Sequence, residues 1–272
     1  MPEPLRSNPA PSSTARTSHS YSKPSRVPSG VLVLGATSAI AIATMRLLAP
    51  SGARFFLVAR NPQRLEVVAR DLLTRGAADV TCEALDLDNT AAHPAMLASA
   101  AEALGSIDLA LIAHGVLGDQ EQAQSSYPAA AAILQTNLLS AISLITWLAN
   151  YFESAGQGTL AVISSVAGDR GRKSNYVYGT SKGALNIFLD GVRNRIDRSG
   201  AHVLTIRPGF VATPMTADFP QGPLFAKPVQ IGRGILKAIE HRRDVVYLPG
   251  FWRPVMFIIR TIPEFIFKKL NL

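Results

Sequence analysis

Seven short runs of strand-forming residues, separated by stretches with helical spacing, constrain this chain more than any other feature. The runs fall at 31–34, 54–59, 79–85, 107–113, 158–164, 202–206 and 244–248. Between them, 40–49, 62–75, 91–104, 126–153, 175–199 and 228–241 read as helices. Pro50 lies where the first helix should stop, and Pro62 occupies the first turn of the second. Repeated strand–helix alternation is the signature of βαβ units, which require a parallel sheet covered by helices. At 272 residues the chain can bury one large core, or at most two small ones. The unbroken alternation assigns 30–250 to a single domain.

The two ends depart from this pattern. Residues 1–29 are rich in Pro and Ser and nearly free of apolar side chains. They cannot bury enough surface to offset the entropy of ordering, so disorder is expected there. Their Arg/Ser-rich, acid-poor composition resembles an organelle transit peptide but lacks an amphipathic helical pattern, and a non-native start suits it equally well. Residues 251–272 form an aromatic, basic, amphipathic tail of the same domain, too short and too charged to span a bilayer. Each end carries +3 of the net charge of +8, leaving +2 for the 221 residues between. The basic balance therefore says little about the core, and no nucleic-acid-binding function is indicated. No run of eighteen apolar residues marks a transmembrane helix. A single cysteine, Cys82, excludes an internal disulfide and is compatible with a reducing compartment; a small buried strand residue is expected there.

Tyr178 and Lys182 lie four residues apart on an expected helix, hence on one face, with Ser165 thirteen residues before the tyrosine. An ammonium beside a phenol favours the phenolate, which suits general acid–base work near neutral pH. A serine at a neighbouring strand end can hold a substrate oxygen next to it. A packed aromatic and a solvated lysine explain the same pair without any chemistry. The turn Gly35-Ala36-Thr37-Ser38-Ala39-Ile40-Ala41 joins the first strand to the first helix. There, backbone N–H groups and a helix N-terminus can receive a pyrophosphate. Arg60 follows the second strand where an acid would bind a ribose 2′-OH; a guanidinium pairs with a 2′-phosphate instead, favouring NADP(H), with Arg64 in support. Asp86, at the end of the third strand, is placed either to meet an adenine or to cap a turn.

Taken in order, these pieces resemble the short-chain dehydrogenase/reductase family over residues 31–250. The match comprises the glycine turn, Leu134-Gln135-Thr136-Asn137-Leu138, Ser164-Ser165-Val166-Ala167-Gly168, Tyr178-x-x-x-Lys182 and Arg207-Pro208-Gly209. The resemblance implies a doubly wound (Rossmann) parallel sheet with helices on both faces. It implies Tyr178 as catalytic acid/base, Lys182 as the group that lowers its pKa and holds the nicotinamide ribose, Ser165 as the carbonyl-orienting hydroxyl, and Asn137 as support for a proton relay. It places Gly35, Thr37, Ser38, Ile40, Arg60, Asp86, Leu87, His114, Gly115, Pro208, Gly209, Val211 and Thr213 beside the cofactor, with no metal. Two departures stand out: Ala39 and Ala41 replace glycines, and Ala113-His114-Gly115 replaces Asn-Ala-Gly. His114 then either lines the nicotinamide pocket or serves as a packed loop histidine.

A narrower resemblance covers the second half. Ile112-Ala113-His114-Gly115-Val116-Leu117-Gly118-Asp119, Ser165-Val166-Ala167-Gly168-Asp169-Arg170-Gly171-Arg172 and Ile262-Pro263-Glu264-Phe265-Ile266-Phe267 are similar to decaprenylphosphoryl-2-keto-ribose reductases. That likeness implies NAD(P)H-dependent reduction of a polyprenyl-phosphate-linked 2-keto-pentose after a flavoenzyme oxidase, in the cytoplasm and peripheral to the inner membrane face. Arg170, Arg172 and Lys173 would meet the phosphate, the tail would lie in the interface, and 213–227 would form a lid. Two rival expectations are a soluble ketone or aldehyde reductase whose tail closes the pocket, and an NADP-binding sensor or scaffold with little turnover. The family likeness also implies a homodimer or homotetramer.

Overall fold

The computed structural model describes residues 27–270. Its strands are β1 (Gly30–Leu34), β2 (Arg54–Ala59), β3 (Asp79–Ala84), β4 (Leu109–Ile112), β5 (Thr159–Ile163), β6 (His202–Pro208) and β7 (Val245–Leu248). They form one sheet in the order 3-2-1-4-5-6-7, every neighbouring pair parallel. The helices are α1 (Ala39–Leu48), α2 (Pro62–Thr74), α3 (His93–Leu104), α4 (Gln120–Ser125), α5 (Tyr127–Leu134), α6 (Ser140–Ala155), α7 (Tyr176–Ile196), α8 (Pro228–Glu240), α9 (Trp252–Thr261) and α10 (Glu264–Phe267).

Strand β1 shows why the sheet is covered twice. All five residues of Gly-Val-Leu-Val-Leu are buried. Successive side chains point to opposite faces. Val31 and Val33 join Met45, Leu65, Leu72, Ile231 and Ile235 from α1, α2 and α8. Leu32 and Leu34 join Leu97, Leu144, Leu148, Phe152 and Leu189 from α3, α6 and α7. Burying each such Leu or Phe contributes about 1.5–3 kcal/mol. The parallel sheet inferred from the alternation, doubly wound as the family resemblance implies, is thus the observed one.

Several expectations need correction. Strand β3 is the sheet edge, so its pattern is only partly buried and Cys82 is exposed rather than buried. The single helix expected over 126–153 is interrupted. Ser126 is extended and Pro128 opens α5, which separates it from the unforeseen α4, and a π-turn at Gln135–Leu139 separates α5 from α6. The stretch Tyr127–Ala155 is long and apolar enough by composition to cross a membrane, although no such segment was expected. Here its Leu144, Ile145, Leu148 and Phe152 pack against the sheet. Residues 1–26, most of the segment expected to be disordered, lie outside the described residues. Ser29 is held: its backbone N–H and hydroxyl donate to Asp108 Oδ2 at 2.9 and 2.6 Å.

The tail forms α9 and α10. Trp252 and Met256 on the inner side of α9 are buried against Val166, with Phe210 and Tyr247 packed around them. On the outer side, Phe257 and Ile258 are 68% and 62% exposed, and Phe265 of α10 is 65% exposed.

Candidate active site

The strand order reverses between β1 and β4, and the loops leaving these two strands part to opposite sides. A crevice at the carboxyl ends of a doubly wound sheet is the expected result. Its floor begins at Gly35, whose φ of +87° favours glycine and where an added Cβ would lie 2.5 Å from the His114 nitrogen. Ser38 caps α1 with its backbone extended, yet its side chain makes no capping bond. The first-turn N–H groups of α1 therefore remain available to an anion. Thr37, Ser38 and Ile40 line the crevice at this end. These features fit the pyrophosphate of a dinucleotide.

Arg60 and Arg64 flank the same end, both exposed, and Arg64 Nη2 reaches the Thr37 carbonyl at 3.5 Å. Asp86 and Leu87 line the wall after β3. Asp86 Oδ1 also accepts from the Asp88 N–H at 3.1 Å, so the turn-capping role exists alongside its position in the crevice. The far wall carries Pro208, Gly209, Val211 and Thr213. Gly209 is pinned against the Trp252 indole, which leaves no room for a Cβ.

The loops after β4 and β5 and the first turns of α7 bring the proposed catalytic groups together. Ser165, Tyr178 and Lys182 all line the crevice with His114 and Gly115. Lys182 Nζ donates to the Ile163 carbonyl at 3.2 Å and lies 5.9 Å from the centre of the Tyr178 ring. Ser165 caps its own turn, accepting from the Ala167 N–H at 3.1 Å, and its hydroxyl hydrogen-bonds Tyr178. Ser164 is buried and its hydroxyl faces the Lys182 carbonyl at 3.4 Å, which leaves Ser165 as the serine beside the phenol.

Electrostatics here differ from expectation. Lys182 is expected to pull the Tyr178 pKa down. Instead burial pushes the phenol above its ordinary value, and the Ser165 hydrogen bond opposes this only in part. Burial also lowers Lys182 to about 8. The ammonium is spent on the Ile163 carbonyl and sits over the ring rather than at the hydroxyl, so desolvation wins.

Asn137 stands behind the crevice, in the π-turn. Its Nδ2 donates to the Val116 carbonyl and its Oδ1 accepts from the Val116 N–H, both at 2.8 Å. Its Nδ2 also contacts Ser181 Oγ at 3.3 Å. The extra residue of a π-turn aims this amide at the loop after β4, a common use of such bulges. His114 lines the crevice, and its Nε2 pairs with Ser140 Oγ at 3.1 Å, as a packed loop histidine would. Burial, then the nearby Lys182 charge, lower it to about 3, so the ring is neutral near pH 7.

A family model for short chain dehydrogenases matches residues 29–223. The chain belongs to the short-chain dehydrogenase/reductase family. It is 36% identical over 240 residues to an oxidoreductase of Mycobacterium tuberculosis, covering 88% of this chain and 96% of that one. An oxidoreductase from Streptomyces coelicolor is 35% identical over 246 residues, covering 89% and 96%. Among solved structures, levodione reductase superposes with a TM-score of 0.74 at 22% identity, over 82% of this chain and 97% of that one. A variant actinorhodin polyketide ketoreductase with NADPH gives 0.70 at 22% identity, over 78% and 90%. The chain is therefore an oxidoreductase of a family that binds NAD(P)(H).

In this short-chain dehydrogenase/reductase, sequence reasoning missed part of the crevice. Asn175 and Phe210 line it, and Asp88 is anchored there by the Thr136 hydroxyl at 2.7 Å. Met215 and Phe219, inside the segment 213–227 expected as a lid, line it too. Phe210 follows no motif; only its place in the loop after β6 would have pointed to it. The basic cluster read as one unit is split three ways. Arg172 lines the crevice, Lys173 is exposed outside it, and Arg170 turns to the tail. Arg170 Nη1 donates to the carbonyls of Ile259 and Ile262 at 2.7 and 2.6 Å, Nη2 meets Glu264 at 2.9 Å, and the guanidinium stacks 3.6 Å over Phe267. It caps α9, whose last carbonyls need donors, and so is not available to a phosphate.

Proposed function

We propose that this enzyme is an NADPH-dependent ketone reductase acting on a lipid-phosphate-linked 2-keto-sugar at a membrane surface. The observation that carries the reductase reading is the buried phenol of Tyr178 beside Ser165 in the crevice. Reduction needs a proton donor at the carbonyl oxygen, and a phenol pushed up by burial stays protonated at neutral pH. When bound, the reduced nicotinamide supplies the hydride. Ser165 orients the carbonyl oxygen, Tyr178 gives it a proton as the carbon is reduced, and Lys182 holds charge beside the phenol. The net change is ketone plus NADPH plus a proton to alcohol plus NADP⁺. Arg60 and Arg64, with no acid at the end of β2, support NADPH over NADH.

The lipid part of the reading rests on the tail. Phe257, Ile258, Phe265, Ile266 and Leu270 are exposed beside Arg253, Arg260, Lys268 and Lys269. Apolar side chains among basic ones suit an anionic membrane interface at the cytoplasmic face. A flavoenzyme oxidase acting on the corresponding alcohol would supply the ketone. An apolar groove between α6 and α7, with Ile187 76% exposed, supports a homo-oligomer built on these helices.

The test is NADPH oxidation by the full chain with a polyprenyl-phosphate-linked 2-keto-pentose, set against small water-soluble ketones. Turnover of the lipid-linked ketone well above the small ones, reduced at least about 100-fold in Tyr178→Phe, is expected. Turnover confined to the small ketones would remove the lipid and sugar and leave a soluble reductase. A Tyr178→Phe protein as active as wild type would remove the catalytic assignment.

A further inference from the structure

Arg172 is unusual among the charged residues of this chain. It lies in the loop between Ser165 and α7 and lines the crevice on the side of Tyr178. The side chain is half-buried, and its Nε is shielded from solvent without a hydrogen-bond partner. Among the described residues its guanidinium forms neither a hydrogen bond nor a salt bridge, although its backbone carbonyl accepts from the Asn175 N–H at 3.0 Å. Asp169, the acid whose charge it feels, is already taken: Arg207 Nη1 donates to it at 3.1 Å and the Tyr247 hydroxyl at 2.7 Å. Burial accordingly pushes the Arg172 guanidinium below its ordinary pKa.

Three residues on, Asn175 repeats the pattern with the opposite polarity. It caps α7 but makes no side-chain capping bond, and its Oδ1 is buried without a donor. It too lines the crevice. Leaving a buried polar group unsatisfied is costly, more so for a charged one. Two such groups side by side in the wall of a binding crevice are accounted for by a ligand that supplies what they lack. A guanidinium takes anionic oxygens, and an amide oxygen takes a hydroxyl.

We infer that Arg172 and Asn175 form a substrate subsite, Arg172 binding a phosphate group attached to the ketone and Asn175 accepting from a hydroxyl near it. This rests on the ketone-reductase reading and adds to it the residues that select the substrate. The shared chemistry is a phosphate, either the diester of a lipid-linked sugar or the monoester of a free sugar phosphate. The site makes Arg172 a specificity residue, since the carbonyl itself is handled by Ser165 and Tyr178.

Three ketones separate the possibilities: a farnesylphosphoryl 2-keto-pentose, the 2-keto-pentose 1-phosphate, and its methyl glycoside, which has no phosphate. Binding is read by calorimetry on the NADPH complex of Tyr178→Phe, and turnover on wild type. The expected result is at least tenfold tighter binding of the phosphate-bearing ketones than of the methyl glycoside. Adding Arg172→Gln should abolish that preference, leave the methyl glycoside unchanged, and leave NADPH binding intact. Arg172→Lys, which keeps the charge, should retain part of it. Asn175→Ala should weaken all three sugars alike. Preference for the farnesyl compound identifies the lipid diester, and preference for the monoester a free sugar phosphate.

Equal binding of all three ketones overturns the subsite, as does an Arg172→Gln protein that keeps the preference. Phosphate selectivity through Arg172 without wild-type turnover of any ketone would leave the subsite standing and defeat the reductase reading. Turnover that ignores the phosphate would do the reverse.

Discussion

Asp169 offers the sharpest test of how the catalytic loop is held. Its carboxylate is 0% exposed, and Arg207, paired with it at 3.1 Å, is 12% exposed. The Tyr247 hydroxyl donates to the other oxygen at 2.7 Å, which helps burial hold that phenol above its ordinary pKa. Asp169→Ala removes the carboxylate that both donors share and leaves the Arg207 charge without a counter-ion away from water, with only the Tyr247 hydroxyl at 3.0 Å. Breaking a buried pair from one side costs about 3–5 kcal/mol, a large share of the roughly 5–15 kcal/mol that stabilises a typical domain. Urea unfolding at pH 7 should show a midpoint shift of that size with little change in slope. An apolar pair of similar volume, Asp169→Leu with Arg207→Met, should recover most of it, because the penalty lies in the stranded charge rather than in the lost attraction. A loss below about 1 kcal/mol in the single variant, or a double variant no better than the single, would refute the reasoning.

Two further outcomes are expected elsewhere. Removing both guanidinium groups, Arg60→Ala with Arg64→Ala, should weaken NADPH about 10–100-fold in a nicotinamide fluorescence titration and leave NADH within twofold, since solvent weakens both exposed groups and their joint effect is about that of one charge-assisted bond, roughly 1.5–3 kcal/mol; equal loss for both cofactors would exclude a 2′-phosphate site there. Burial lowers His202 to about 4, below the 6.5 of an unfolded histidine. The folded state therefore binds fewer protons, and stability should fall as pH drops from 6.5. By pH 5 the cost is about 2 kcal/mol for this group. His202→Gln should remove that part of the acid sensitivity, read as the change in urea midpoint between pH 7 and pH 5; an unchanged pH dependence would mean the ring is protonated in the folded protein.

Much of the fold was legible because the sheet imposes a simple rule on sequence. Strands buried on both faces read as short apolar runs, and β2 begins and ends where Arg54 and Ala59 place it. The edge strand β3 escaped that rule: half of it faces solvent, so Cys82 could not be placed from hydrophobicity. Local spacing likewise located Tyr178, Lys182 and Gly35, since each depends on neighbours within a turn or a loop. The π-turn at Asn137 was not legible, because no Gly or Pro marks it and it arises from the fit of α5 and α6 to the loop after β4. The sign of the Tyr178 shift was not legible either. It depends on how deeply the phenol is buried and on the Ile163 carbonyl that occupies Lys182, neither of which is encoded in the four-residue spacing.

The loop from Ser165 to Lys173 explains why the tail cannot be an independent appendage. Ser165 faces the phenol, Val166 packs on Trp252 and Met256, and Asp169 holds Arg207 and Tyr247. Arg170 closes the end of α9, and Arg172 returns to the crevice. One short segment thus contributes to both the active site and the seat of the tail. Trp252 in turn presses on Gly209, in the opposite wall of the crevice. The tail is thus tied to both walls, in part by residues some 90 positions apart in sequence: the Arg170 side chain and the backbone carbonyls of Ile259 and Ile262. Such contacts carry no local signature, so a basic run that reads as one cluster on paper becomes, in the fold, one residue for the tail, one for solvent and one for the crevice.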